Sequence, residues 1–315
     1  MLAVKFDSKE VLVEELPAPS GGDVLVRVRA CGICGSDLTI LDSGFPIYGI
    51  PGHEIAGELM DGTPVAIEPI DPCGHCRYCV EGNYQVCPSG ADKIYGIGLH
   101  GGMAEQIRVP ARCLVPLPRG LDSRSGFLVE PLAVAMHGVR RARIEKSMRV
   151  LVVGAGTIGL CAAVAVNAAE AEVAVVARHA AQIEAGEKLG VEIVGGESRG
   201  EYDVVIDCAG SASATEMACE SLRPNGTLLL LAPSWETIEI PGFVSIAKEL
   251  EFVVSKMYGR VGSLRDIDAA AALLGAREEV SDALISHRFP LADASRAFET
   301  ARDRKSGAIK VVLEP

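Results

Sequence analysis

The chain has 315 residues, of which 49% are hydrophobic and 23% charged, and its formal net charge at pH 7 is -12. A chain of this length suits two domains better than a single hydrophobic core. The acidic balance argues against a nucleic-acid partner, because phosphate binding needs a surplus of Lys and Arg. The first residues lack the layout of a secretory signal, and no apolar run is long enough to span a membrane, so we expect a cytoplasmic protein with no membrane partner.

The first part of the chain predicts a β-rich, barrel-like domain. Short apolar runs alternate with polar residues and are separated by Gly, Pro and Asp, as in half-buried strands joined by tight turns. The predicted strands cover residues 24–30, 54–60, 64–70 and 104–110.

Within this part, Cys34, His53 and Glu54 supply a thiol, an imidazole and a carboxylate within about twenty residues, and all three are suitable zinc ligands. On the residues alone, a His beside a Glu is also common as an ordinary surface pair. Cys31 and Cys34 could instead form a redox C-x-x-C, but no thioredoxin-like βαβ pattern surrounds them.

Four further cysteines, Cys73, Cys76, Cys79 and Cys87, follow a C-x2-C-x2-C-x7-C pattern. Cysteines in a chain without an export signal favour metal binding or buried thiols over disulfides. Four thiolates at this spacing surround one tetrahedral zinc and leave no open position, which predicts a structural zinc with His75 as a solvated spacer. An iron–sulfur site is the main alternative, although ferredoxin runs place the fourth cysteine after three residues rather than seven.

From about Leu132 the pattern changes to strands alternating with helices, which is typical of a doubly wound parallel sheet, the α/β Rossmann fold. The predicted strands are 149–154, 172–177, 203–209 and 226–232, and the predicted helices are 157–169, 181–189 and 212–222. The tail from residue 289 predicts one helix and a final strand. We expect this tail to return to the first domain, which makes that domain discontinuous.

The turn Gly154-Ala155-Gly156-Thr157-Ile158-Gly159 follows a predicted strand and opens a predicted helix. In that context the glycines permit a tight turn and let backbone amides meet a pyrophosphate at the helix N-terminus. The sequence therefore predicts a dinucleotide site.

The end of the next strand favours NADP over NAD. NAD-specific sites place Asp or Glu there to bind the ribose 2′-hydroxyl, but Ala177 occupies that position and Arg178 follows it. A missing carboxylate removes repulsion toward a 2′-phosphate, and a guanidinium adds charge-assisted hydrogen bonds. His179 is a second candidate for this contact. The alternative is that both side chains are simply exposed at a strand end.

Taken in chain order, the motifs resemble the zinc-containing medium-chain dehydrogenase/reductase (alcohol dehydrogenase) family, in particular its sorbitol, threonine and secondary-alcohol dehydrogenases. The motifs are CGICGSD (31–37), PGHE (51–54), the four-cysteine segment, 101–110, 129–139, 150–159, HRFPLADASRAFE and KVVL. The resemblance implies a GroES-like catalytic domain over 1–132 and 259–315 and a Rossmann domain over 133–258. It also places Ala209, in the turn 208–210, beside the nicotinamide ribose.

The resemblance further implies a catalytic zinc held by Cys34, His53 and Glu130, with Glu54 as a fourth ligand or an alternate one. Such a zinc acts as a Lewis acid on the substrate oxygen. Glu130 also fits a helix N-terminal carboxylate favoured by the helix dipole, and the two interpretations are compatible.

Proton transfer is the point at which the sequence departs from many relatives. Ser36 matches the family hydroxyl that takes the alcohol proton, although a helix N-cap is an equally good interpretation of it. Asp37 is placed to orient His53. Many alcohol-oxidising members carry His where this chain has Thr39, which cannot act as a base, so we expect a relay through water or Glu54.

We therefore expect a zinc-dependent oxidoreductase with two zinc ions, transferring hydride between NADP(H) and a secondary alcohol, a polyol or the corresponding carbonyl compound. The alternatives are a zinc-free enoyl or quinone reductase, or a dinucleotide-binding regulator without turnover. We expect a homodimer or homotetramer, as is usual in the family. The expected neighbours of the substrate are Phe45 and Tyr48 in the 42–48 loop, His100, and Met257 or Tyr258.

Overall fold

The chain divides into two units, one of Met1–Glu130 with Gly259–Pro315 and the other of Pro131–Tyr258. The computed structural model describes residues 1–21, 23–196, 200–232, 237–303 and 305–315. Arg304, in the predicted closing stretch, lies outside the described residues.

The strands of the described residues, in chain order, are β1 (Leu2–Asp7), β2 (Glu10–Glu15), β3 (Val24–Gly32), β4 (Glu54–Leu59), β5 (Pro64–Ile67), β6 (Gln106–Val109), β7 (Leu114–Pro116), β8 (Arg149–Val153), β9 (Glu172–Val176), β10 (Glu192–Val194), β11 (Tyr202–Asp207), β12 (Leu222–Leu230), β13 (Glu251–Val254), β14 (Arg260–Val261), β15 (Leu264–Arg265), β16 (Ile285–Pro290) and β17 (Lys310–Glu314).

The α-helices are α1 (Gly35–Ser43), α2 (Arg77–Val80), α3 (Val129–Arg141), α4 (Thr157–Ala168), α5 (Ala180–Lys188), α6 (Ala212–Ser221), α7 (Gly242–Lys248), α8 (Asp266–Gly275), α9 (Glu278–Leu284) and α10 (Ala294–Arg302). Short 3-10 turns lie at Tyr84–Val86, Gly90–Lys93, Ala111–Cys113, Gly126–Leu128 and Leu291–Asp293. Over the part of the chain that is described, no helix combines the length and the apolar character needed to cross a bilayer.

The first unit is built on a seven-stranded sheet, ordered β16-β17-β3-β4-β5-β7, with β6 also paired to β3. The alternating residues of β3 bury one face and expose the other, as the sequence predicts. β3 lies between β4 and β17 and pairs antiparallel with both, with Gly32 opposite Glu54 on one side and Val312 on the other. The prediction of a β-rich first domain is confirmed, and β17, near the end of the chain, pairs with β3 in its sheet.

The second unit contains a six-stranded, all-parallel sheet ordered β10-β9-β8-β11-β12-β13. The chain winds outward from β8 in one direction and then from β11 in the other, so the strand order reverses between these two strands. Ligands of open α/β sheets bind at such a reversal. The predicted Rossmann sheet is therefore confirmed.

Several strand bounds differ from the predicted ones because of proline and turn residues. β5 ends at Ile67 rather than at residue 70, and Pro69 lacks the N–H that would extend the ladder. β12 starts at Leu222, four residues earlier than predicted, because Leu222 already pairs with Tyr202 of β11, ahead of a register shift at Pro224-Asn225-Gly226.

The core of the first unit includes Phe298 on α10, whose ring is 1% exposed and meets Phe6 edge-on at a centroid distance of 5.4 Å. We expect Phe298→Ala to lower the free energy of unfolding by roughly 3–5 kcal/mol, because the substitution removes buried apolar surface and leaves a cavity. Urea denaturation followed by circular dichroism measures this. The matched control is Phe243→Ala on α7, which removes an 86% exposed ring and should shift stability by no more than about 0.5 kcal/mol. Equal losses in both variants would contradict the packing described.

Candidate active site and metal centres

The four cysteines of the C-x2-C-x2-C-x7-C pattern come together as one cluster, with all sulfur atoms within 4.8 Å of one another. The Sγ–Sγ distances are 3.5 Å between Cys76 and Cys79 and 3.9 Å for both Cys73–Cys79 and Cys76–Cys87. A tetrahedron with zinc–sulfur bonds of about 2.3 Å has sulfur atoms about 3.8 Å apart. The cluster therefore fits a tetrahedral zinc.

The local hydrogen bonds favour thiolates at Cys73 and Cys87, whereas burial and the neighbouring Cys76 thiol raise the pKa of Cys79 to about 12. Backbone N–H groups of His75 and Cys76 lower the pKa of Cys73. Burial raises the pKa of Cys87, but hydrogen bonds with Ser89 and with backbone amides outweigh burial and lower that pKa to about 6. The thiolate is the form that binds metal. All ten cysteines lie in the described part of the chain, and each is a free thiol.

The cysteine segment is anchored to residues that follow the second unit in sequence. The Arg260 guanidinium donates to the carbonyl oxygen of Cys79 at 3.1 Å. The Tyr84 hydroxyl donates to the buried Glu68 carboxylate, which also accepts from Arg265 at 2.8 Å. Burial, with the Glu68 charge beside it, raises the pKa of Tyr84, so the phenol stays protonated as a donor.

A second cluster contains Cys34, His53 and Glu54, whose candidate ligand atoms also lie within 4.8 Å of one another. Cys34 is the N-cap of α1, directly after β3, and Glu54 is the first residue of β4. Because β3 and β4 are paired, residues about twenty positions apart in sequence meet at the same end of the sheet.

His53 lies between a carboxylate and a hydroxyl. Its Nδ1 is buried without a hydrogen-bond partner and lies 3.5 Å from Asp37 Oδ1, while its Nε2 lies 3.4 Å from Ser36 Oγ. Burial lowers the pKa of His53, but the Asp37 carboxylate and Cys34 together outweigh burial and raise that pKa well above its usual range. An imidazole that binds a metal through one nitrogen commonly donates its other N–H to a carboxylate. Asp37 is placed for that role.

Asp37 itself is 1% exposed and accepts the backbone N–H of Cys34 at 2.9 Å. One carboxylate therefore caps α1 and faces His53, which fixes Cys34 and His53 relative to each other. The interpretation of Ser36 as an N-cap is wrong, because Cys34 holds that position and Ser36 lies inside the first turn.

Glu54 pairs with a residue that sequence reasoning did not single out. Lys310 Nζ, on β17, lies 2.7 Å from both Glu54 carboxylate oxygens and 3.0 Å from the Ile33 carbonyl oxygen. The two side chains are 3% and 1% exposed. The available signal was a lysine at the start of an otherwise apolar strand, within the motif KVVL.

Glu130, a predicted ligand, and Thr39, at the position where many relatives carry His, are not among the residues of this cluster. Glu130 is 6% exposed in the first turn of α3, where the helix dipole favours a carboxylate, and it is not among the atoms that meet within 4.8 Å. The Thr39 hydroxyl donates to the carbonyl oxygen of Gly35 at 3.1 Å, so it is engaged with its own helix.

The predicted dinucleotide turn connects β8 to α4 and depends on the absence of side chains. A Cβ at Gly159 would lie 1.8 Å from the Gly154 carbonyl oxygen, so helix and turn could not approach as they do. Gly154 has φ +102°, and Gly156, the N-cap of α4, has no neighbour within 4 Å of its Cβ position. Thr157 and Ile158 begin α4 and are half-buried. Open space at a helix N-terminus suits a pyrophosphate.

The residues after β9 are exposed, as a contact with a bound cofactor requires. Arg178 and His179 are both exposed, and Ala177 is half-buried. The Arg178 backbone N–H donates to Gln182 at 3.3 Å, and His179 is the N-cap of α5.

A buried carboxylate organises the neighbouring turn after β11. Asp207 is 1% exposed, and its Oδ1 accepts the backbone N–H groups of Ala209 and Gly210, both at 2.9 Å. The Thr215 hydroxyl donates to its other oxygen at 2.9 Å. Sequence reasoning named Ala209 but not Asp207, which fixes the turn that carries it.

The expected substrate neighbours differ in exposure. Tyr48 and Phe45 are 63% and 43% exposed, and the Tyr48 ring meets the His100 ring at a centroid distance of 5.2 Å. Tyr258 is fully buried, so it does not present a free surface.

The chain matches two protein-family models: the alcohol dehydrogenase GroES-like domain over residues 20–119 and the glucose dehydrogenase C-terminus over residues 123–314. It is 31% identical to a sorbitol dehydrogenase of Arabidopsis thaliana over 95% of this chain and 90% of that protein.

Two solved structures show the same architecture. Galactitol-1-phosphate dehydrogenase from Escherichia coli is 26% identical, with a TM-score of 0.89 over 100% of both chains. A zinc-binding dehydrogenase from Sinorhizobium meliloti 1021, described as putative and bound to NADP, is 29% identical, with a TM-score of 0.87 over 100% of this chain and 99% of that one. The chain therefore belongs to the zinc-type, medium-chain alcohol dehydrogenase family and is an NAD(P)-dependent oxidoreductase of alcohols or polyols.

Proposed function

We propose that the protein transfers hydride between NADP(H) and a secondary alcohol or polyol, or the corresponding carbonyl compound, at a zinc held by Cys34 and His53. The observation that carries this proposal is the cluster of Cys34, His53 and Glu54 at the end of β3 and β4, with ligand atoms within 4.8 Å. Sorbitol and galactitol-1-phosphate, named for two relatives, are both polyols.

The donor set fits zinc by its chemistry, since thiolate, imidazole and carboxylate are the ligands that zinc takes. The buried and unpartnered Nδ1 of His53 supports this, because metal binding at Nε2 would leave an Nδ1–H aimed at Asp37. We propose Glu54 and Glu130 as the carboxylates of the site. Zinc bound there would supply a Lewis acid that polarises the substrate oxygen.

Ser36 is the residue that we propose takes the alcohol proton. Its hydroxyl is half-buried in the first turn of α1 and lies 3.4 Å from His53 Nε2. Thr39 is engaged with Gly35, and Glu54 is held by Lys310. We therefore propose that water carries the proton onward from Ser36.

A second zinc, held by Cys73, Cys76, Cys79 and Cys87, has a structural role in this proposal. Four sulfur ligands leave no position for substrate. Arg260 bonds to Cys79 and Tyr84 bonds to Glu68, so the cysteine segment is attached to residues outside it. A zinc that orders the segment would therefore also stabilise these contacts.

The cofactor proposal is NADP in preference to NAD. Arg178 is exposed directly after β9, and no carboxylate occupies the Ala177 position to bind a ribose 2′-hydroxyl. One relative of 29% identity was solved with NADP. We propose that Gly154, Gly156, Thr157, Ile158 and Gly159 bind the pyrophosphate, that Arg178 and His179 bind the 2′-phosphate, and that Ala209 lines the ribose. We further propose a homodimer or homotetramer, as is usual for the family.

Replacing Cys34 by Ala should abolish alcohol oxidation while leaving NADPH binding intact, because the thiolate serves the metal and not the dinucleotide turn. Turnover with a panel of secondary alcohols and polyols, metal content per chain, and NADPH fluorescence titration measure the three quantities. If the variant lost both NADPH binding and turnover at full zinc content, Cys34 would not serve the metal alone, and this assignment would be contradicted.

Replacing Cys76 by Ser should instead lower stability, since a structural zinc contributes to folding. We expect loss of one zinc per chain and a lower Tm by thermal denaturation. Cys113→Ser is the control, because Cys113 is buried but lies outside both clusters. A Cys76→Ser protein with unchanged zinc content and unchanged Tm would refute the structural zinc.

Replacing Arg178 by Ser should weaken NADPH binding by roughly 1.5–3 kcal/mol, the value of a charge-assisted hydrogen bond, and leave NADH binding nearly unchanged. Fluorescence titrations with both cofactors compare the two losses. Arg149→Ser serves as a control, because its side chain contacts Glu201 elsewhere in the same unit. Equal losses for NADPH and NADH would exclude Arg178 from 2′-phosphate recognition.

A further inference from the structure

A cavity of about 580 Å³ lies within the first unit and shares no lining residue with either candidate metal cluster. It is bounded by the segment that follows β2, by β6 and by residues shortly before β6 in the chain. Sites for small molecules commonly have volumes of roughly 300–1,000 Å³. The cavity is therefore large enough for a small organic molecule.

Most of the cavity wall is apolar. The apolar lining residues include Leu16, Pro17, Pro19, Ile50, Leu99 and Ile107. Burial of apolar surface is favourable for both the wall and a ligand. A ligand that matches this wall has an apolar body.

The cavity also contains a guanidinium whose charge no carboxylate neutralises. Arg108, on β6, donates through Nε to the Pro19 carbonyl oxygen at 3.0 Å and through Nη1 to the Asp23 carbonyl oxygen at 2.6 Å. In the part of the chain that the structure describes, no carboxylate forms an ion pair with it. The two carbonyl groups therefore fix the guanidinium without cancelling its charge, and further N–H groups remain for a ligand.

A second donor is a phenol that lines the same cavity. Tyr95 is 6% exposed, and its hydroxyl forms no hydrogen bond with any residue that the structure describes. Burial raises the pKa of Tyr95, so the hydroxyl stays protonated. A polar group in a largely buried side chain is stabilised when it gains a hydrogen-bond partner. An acceptor on a ligand would supply the partner that this hydroxyl lacks.

The other polar lining residues add one donor and little negative charge. His100 Nδ1 accepts the Ile50 N–H at 3.4 Å, so the neutral ring carries its proton on Nε2. Lys5 is already paired with Glu14 at 3.1 Å. Among the described lining residues, Asp23 alone carries a carboxylate, and its side chain is exposed. The lining thus offers donors and a positive charge to an acidic group.

We propose that this cavity is a binding site for a small carboxylate with an apolar body. The carboxylate accepts hydrogen bonds from Arg108 and Tyr95, and the apolar body packs against the wall that includes Ile50 and Ile107. The site goes beyond the proposed function, since neither the metal nor the dinucleotide takes part in it. Ile50 lies shortly before His53 in the chain, so a bound carboxylate contacts the segment that leads to the metal cluster without contacting its ligand atoms.

The test is isothermal titration calorimetry with 2-naphthoate and with its uncharged amide, 2-naphthamide. The protein is the full chain with its metal, saturated with NADPH, so that both probes are kept out of the dinucleotide site. We expect 2-naphthoate to bind at least about tenfold more tightly than 2-naphthamide, because its hydrogen bonds to Arg108 are charge-assisted. Cys34→Ala should bind 2-naphthoate with the wild-type Kd, which separates this site from a carboxylate bound to metal.

Two variants test the donors. Arg108→Gln should remove the preference, so that both probes bind with Kd values equal within about twofold. Tyr95→Phe keeps Arg108 and its two carbonyl contacts, and should raise the Kd of 2-naphthoate by about threefold or more. Arg124→Gln is the matched control, because it removes an exposed guanidinium of the same unit that does not line the cavity. It should keep the wild-type preference.

Three results would overturn the inference. The first is a wild-type protein that does not bind 2-naphthoate, or binds both probes equally. The second is loss of 2-naphthoate binding in Cys34→Ala, which would place the probe at the metal. The third is an unchanged preference in Arg108→Gln. If Arg108→Gln does not fold, Tyr95→Phe decides, because an unchanged Kd for 2-naphthoate in that variant shows that the probe binds elsewhere.

Discussion

The pairing of β3 with both β4 and β17 is the constraint on which the candidate metal site depends. β3 ends in the turn that carries Cys34, β4 begins with Glu54 and is preceded by His53, and β17 begins with Lys310. A shift of one residue in either register would turn these side chains to the opposite face of the sheet. Backbone hydrogen bonds thus set the positions of the groups on which the chemistry depends.

In the second unit the corresponding constraint is steric. The turn after β8 brings Gly159 against the Gly154 carbonyl oxygen, a contact that no side chain would permit. The adjacent turn after β11 is held by the buried Asp207 carboxylate through the amides of Ala209 and Gly210. Two neighbouring strands therefore end in rigid turns at the place where the strand order reverses, which is where such sheets bind their ligands.

Features encoded by short spacing could be predicted from the sequence. The four cysteines and the glycine turn each lie within about fifteen residues. Their chemistry can therefore be predicted without knowledge of the fold. The alternation of strands and helices likewise predicted the parallel sheet. The Lys310–Glu54 pair joins residues 256 positions apart, and neither residue type alone indicates a partner at that distance. In the sequence, Asp207 is only a polar residue at the end of an apolar strand. Its role in holding the following turn is shown by the backbone amides of Ala209 and Gly210 that it accepts.

The sequence separations at the two clusters also bear on the order in which the protein is made. The cysteine cluster closes within a single short segment, and its sulfur atoms need no distant residue to meet, although Arg260 reaches Cys79 from 181 positions later. The Cys34 cluster acquires Lys310 only when β17 has been synthesised and has paired with β3. During synthesis all four cysteines are therefore present in the chain before Lys310, the counter-ion of Glu54, has been made. Translation thus separates in time the assembly of the two sites that metal would occupy.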